Sequence, residues 1–130
     1  MSVETPDNAQ HYIKTGYRSN RGVGGSVTQQ TNRTTAVTLN ALTGQITTNN
    51  ASLAAEAAAD FTVNNSLIEA DDIVVPCIKS GVVGAMTEVV VAGVAKGSFV
   101  LRVINGNPAA GAAETGAIVI SFIVLKGQTT

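Results

Sequence analysis

From residue 26 onward the chain is a series of short β-branched runs broken by Gly, Asn, Asp and Ala-rich connections. The runs predict strands near 27–30, 36–39, 45–48, 61–64, 73–79, 87–92, 98–104 and 117–126, with turns at Gly81, Gly84, Gly97 and Asn105-Gly106. Several of them alternate as half-buried strands do: Phe61 and Val63 share one face while Thr62 and Asn64 take the other, and Phe99, Leu101 and Val103 oppose Val100, Arg102 and Ile104. The last run, 117–125, is apolar on both faces apart from Ser121, which predicts a central strand covered on both sides, by a second sheet or by a partner subunit. Eight short strands of antiparallel type predict an all-β domain, a β-sandwich or jelly roll over residues 26–130.

Residues 1–25 show no hydrophobic period, and Gly16, Gly22, Gly24 and Gly25 interrupt regular pairing. They read as an extended N-terminal arm, of the kind that is either disordered or ordered by a partner. Residues 50–59 run against the β pattern. Asn50 is a fair helix cap and the alanines favour helix, yet the stretch has no apolar stripe beyond Leu53, so a single helical turn and a long loop are equal expectations.

Composition sharpens this picture. A chain of 130 residues is 45% hydrophobic but only 4% aromatic, so its core must fill through many small aliphatic contacts. Charged residues are 13%, about half the usual share, which suits a surface partly covered by neighbours. The net charge of −1 is unevenly spread: residues 1–33 carry four basic and two acidic side chains, and the rest carries four basic and seven acidic. That asymmetry is too mild for a nucleic-acid protein and fits a basic arm seeking an acidic neighbour. Residues 1–10 are polar and do not read as a secretory leader, and 117–125 is too short to span a bilayer, so synthesis in the cytoplasm without membrane insertion is expected.

Candidate chemistry is sparse. A hydrolytic triad needs a histidine to shuttle the proton, and the only one, His11, lies in the arm. Cys77 follows Pro76 in an apolar strand and reads as a small core residue. Asp71 and Asp72, adjacent at the start of a strand, should point to opposite faces, which argues against a catalytic dyad or a metal loop. Gly22-Val23-Gly24-Gly25 precedes strand-like residues, so it implies no phosphate cradle. No cofactor is expected. The arm is richer: Tyr12, Ile13, Lys14, Tyr17, Arg18 and Arg21 combine aromatic and basic side chains of the sort that anchor protein interfaces, at a cation density low for nucleic-acid binding.

The stretch Ala36-Val37-Thr38-Leu39-Asn40-Ala41-Leu42-Thr43-Gly44-Gln45-Ile46-Thr47, followed by Phe61-Thr62-Val63-Asn64-Asn65-Ser66-Leu67-Ile68 and Asp71-Asp72-Ile73-Val74-Val75, resembles a group of small bacteriophage virion proteins. The likeness runs on through 95–105 and 117–126, and it departs at 55–59, where alanines stand in place of a polar loop. It implies a β-sandwich without cofactors, commonly trimeric, acting as a capsid decoration (cement) protein on the major capsid protein, or as a tail or fibre component. A carbohydrate-binding adhesion module is the rival of a different class. It is disfavoured because Tyr12 and Tyr17 sit in the arm and Phe61, Phe99 and Phe122 in core-like strands. The residues taken alone point to a structural protein, not an enzyme.

Overall fold

A computed structural model describes residues 23–129. Eight strands are present among them: β1 (Val23–Thr28), β2 (Val37–Thr38), β3 (Thr43–Thr47), β4 (Ala58–Asn64), β5 (Ile73–Ser80), β6 (Thr87–Ala95), β7 (Ser98–Asn105) and β8 (Val119–Leu125). They form two four-stranded sheets, ordered β1-β3-β8-β5 and β2-β4-β7-β6. The chain is all-β, and the sheets stack as a β-sandwich.

The period-two alternation read from the sequence builds the space between the sheets. Ile46, Val74, Ile120, Phe122 and Val124 project inward from the first sheet, and Phe61, Val63, Phe99, Leu101 and Val103 from the second, all buried in one cluster. Phe99 meets Phe122 edge to face with centroids 5.2 Å apart, so two of the three phenylalanines lock sheet to sheet. β8 is central in its sheet, paired antiparallel with β3 and β5. Only one of its faces is fully covered, since Val119, Ser121 and Ile123 on the other are partly exposed.

Three expectations change. Not every pairing is antiparallel: β1 runs parallel to β3, and β2 parallel to β4. The chain steps from one sheet to the other between β1 and β2 and back between β2 and β3, and that detour supplies the crossover a parallel pair needs. β1 also takes in Val23, Gly24 and Gly25, which the sequence assigned to the arm. Gly24 and Gly25 adopt φ of +89° and +126°, and the register shifts between Val23 and Ser26, so the glycines make a bulge within a strand instead of ending it. Residues 50–59 contain no helical turn. Leu53 and Glu114 exchange backbone hydrogen bonds as an isolated antiparallel bridge, and Glu56 N–H donates to Asn105 O. Long-range partners for these amides outweigh the helix propensity of the alanines, and Ala58 already begins β4.

Candidate functional site

The arm residues singled out by sequence, Tyr12, Ile13, Lys14, Tyr17, Arg18 and Arg21, lie outside the described residues, as does His11. The structure does fix the surface beside which they enter. Val23 pairs with Thr43, Thr43 with Ile123, and Ile123 with Val75, so the chain joins the sandwich at the edge of one register row that crosses the whole first sheet. On the outer face of that sheet the next pairs toward one end are Ile73 with Leu125, and toward the other Cys77 with Ser121. Ile73, Val75 and Leu125 are 56%, 45% and 43% exposed. Above Gly24, Gly25, Thr43, Gln45 and Ser121 lies an open groove of about 350 Å³.

Cys77 therefore corrects the sequence reading: it is exposed on this outer face, not buried in the core. Pro76 and Ile78 are the partly buried neighbours, so the strand's alternation places the thiol outward, and an apolar run alone could not settle which parity faces the core. The second sheet is different outside. There Asp60 and Arg102, cross-strand partners, form a bidentate ion pair at 2.7 and 2.8 Å, with Glu88 exposed nearby on β6. The outer face of the first sheet thus carries an exposed aliphatic patch on β5 and β8, with Lys79 exposed further along the same face of β5, and the outer face of the second carries the Asp60–Arg102 pair and Glu88 beside partly exposed Val90, Val100 and Ile104.

The charged side chains of the interior do a different job. Glu114 is fully buried, and each carboxylate oxygen accepts two hydrogen bonds: Oε1 from Gly84 N–H and the Thr87 hydroxyl, Oε2 from Val83 N–H and Gly116 N–H. Its lone pairs are all used. Arg33 is 4% exposed and donates to the carbonyls of Ala51, Glu114 and Gly116 and to the Thr48 hydroxyl. Buried Gln29 holds the turn that carries Arg33, donating to Arg33 O and Thr35 O and accepting from Asn49 N–H. Asp72 accepts from Lys126 Nζ at 2.6 Å and from the amides of Glu69 and Gly127, while Asp71 is exposed and accepts from the Thr129 hydroxyl. The two aspartates diverge. Among the described residues no group of three or more His, Cys, Asp or Glu side chains could hold a metal, and no buried side-chain polar atom lacks a partner.

No protein-family model, curated protein or solved structure matches this chain.

Sequence reasoning missed Glu114, Arg33 and Gln29. Glu114 stands in an Ala- and Gly-rich connection and Arg33 in a Thr- and Asn-rich one, so neither sits on a periodic face that would mark it as buried. Their titration gives a direct check. Burial alone would raise the Glu114 carboxyl, but the Thr87 hydroxyl and three amides hold it below its ordinary value. Asp72 is lowered in the same way: Lys126 and the amides of Glu69 and Gly127 outweigh its burial. The folded chain therefore binds fewer protons than the unfolded one in this range. These carboxylates stabilise the fold fully above about pH 4, and the contribution is lost as pH falls through that range toward the depressed folded values. Unfolding free energy measured from about pH 6 down to about pH 2 should fall with acid, and more gently in Glu114→Gln. Equal acid slopes in the two proteins would contradict this role.

Proposed function

We propose that the chain is a non-enzymatic structural protein of a bacteriophage virion, a capsid decoration (cement) protein that binds the major capsid protein and stabilises the head shell. It would be made in the host cytoplasm and act at the virion surface as a homo-oligomer, with a trimer favoured. The observation that carries this reading is the pairing of a basic, aromatic N-terminal segment with an exposed aliphatic patch on the outer face of the sheet that this segment joins. A small β domain with an added basic, aromatic segment suits a protein that adds many copies of a modest contact, because multivalent attachment turns weak single contacts into strong retention. The buried Glu114, Arg33 and Asp72 support the same reading, since their polar atoms are spent on tying loops together.

The test is sedimentation of the purified protein with empty heads and with isolated tails. Retention on heads is expected, weakened by Tyr17→Ala and Arg18→Ala without loss of the β fold. Recovery with tails alone would place the protein in the tail or fibre and end the cement reading. Reproducible glycan binding by the free protein would instead favour an adhesion module.

A further inference from the structure

We propose that the aliphatic patch on the outer face of the first sheet is the seat of the chain's own N-terminal segment, with Ile13 and Tyr17 laid over Ile73, Val75, Ile123 and Leu125. This goes beyond the function proposed above, and it is tested on the free protein.

The face is unusual within this molecule. Ile73 and Leu125, and next to them Val75 and Ile123, are direct cross-strand partners, so four aliphatic side chains form one contiguous patch. Their exposed area is on the order of 300 Å², well under the roughly 800 Å² that each partner of a standard stable interface contributes. A second copy of the sandwich would gain too little from this patch alone. A short extended segment would be well served by it.

The segment at hand has the right length and origin. Twenty-two residues precede Val23, and Val23 lies on the register row Val23–Thr43–Ile123–Val75. That row spans three strand spacings, about 14 Å. Val23 is six residue steps beyond Tyr17, enough to reach about 20 Å when extended. Ile13 lies four residues further upstream, so it can extend up to about 13 Å more, and the neighbouring row of Ile73 and Leu125 is only about 7 Å away. In an extended chain Ile13, Thr15 and Tyr17 fall on one side, followed by Arg21 close to where the segment enters β1, and Tyr12, Lys14 and Arg18 fall on the other. The apolar stretch of the first side, Ile13 to Tyr17, thus meets the sheet. The basic side faces outward, where a partner can meet it, and exposed Glu69 and Asp71 stand just before Ile73 to receive the nearest cation. Seating also lowers the entropy cost of later attachment, because the segment is already held in place.

Cys77 is a built-in reporter, one register row from Val75 and Ile123. Alkylation of Cys77 in the full-length native protein should be roughly tenfold slower than in the Ile13→Ser/Tyr17→Ser variant, whose substitutions leave every described contact intact. The protection should not change with protein concentration. Under mild oxidation Thr15→Cys should form a disulfide with Cys77 within one chain, whereas Ser2→Cys should not. Equal alkylation rates in the two proteins would overturn the proposal. So would protection that rises with concentration, or cross-links found only in dimers, since both would make a second copy the occupant.

Discussion

Glu114→Ala is expected to lower the free energy of unfolding by about 3–5 kcal/mol, a third or more of what a domain of this size usually has. The reason is the donors left behind. With the carboxylate gone, the amides of Val83, Gly84 and Gly116 and the Thr87 hydroxyl lose their acceptor. Each buried donor without a partner costs about 1–3 kcal/mol, and only part of that can be recovered by water entering the space. Thermal unfolding should shift down by about 10–20 °C. The loop between β5 and β6, which carries Val83 and Gly84, should be the first region to lose amide exchange protection. Glu114→Gln, which keeps the volume and one acceptor oxygen but turns an amide group toward two N–H donors, should fall between the two proteins. A Glu114→Ala chain as stable as the parent in urea would show that the carboxylate is not what holds these loops.

Arg33→Met is the second large effect, expected at about 2–4 kcal/mol. Arg33 fans four hydrogen bonds into three separate stretches of chain, at Thr48, Ala51 and 114–116. A planar guanidinium can serve them together, and a lysine ammonium cannot, so Arg33→Lys should recover little of the loss. Both Arg33 and Glu114 grip residues 114–116, from opposite sides. Their effects should therefore be strongly non-additive, with a coupling of about 1 kcal/mol or more in a double-mutant cycle read by urea unfolding. Simple addition of the two losses would mean that the groups act separately.

The strands were legible because alternation is a local signal. Phe61-Thr62-Val63 and Phe99 to Val103 fell on the faces their period assigned, and β8 fell at the centre of its sheet. Its outer side shows the limit of that signal. An apolar residue such as Ile123 looks the same in sequence whether it meets a second sheet, a tethered segment or water. Cys77 failed for a related reason: 73–78 is apolar on both parities, and the one signal that the thiol's parity faces outward is Lys79, two residues on, which the register with Ser121 bears out. The parallel pairs, the bridge between Leu53 and Glu114 and the grip of Arg33 on Gly116 all join residues far apart along the chain. No window of sequence contains both partners. The helix propensity of 51–59 was real but worth only tenths of a kcal/mol per residue, and distant amide partners overrode it.

The alternation of consecutive strands between the two sheets governs how the molecule comes to exist. Among the described residues only β6 and β7 pair as a hairpin of sequence neighbours, turning at Gly97 with φ of +86°. Every other ladder must wait for a distant stretch of chain to arrive, and each such closure costs entropy before its contacts can repay it. Folding should then start at the 87–105 hairpin and proceed on the millisecond-to-second scale typical of non-local β topologies. The two N-terminal strands, each held parallel at a sheet edge by a partner that follows it in sequence, are the last to dock. A nascent copy therefore leaves the ribosome with β1 unpaired until β8 has been made and β3 can find it, while β2 waits only for β4 and β7.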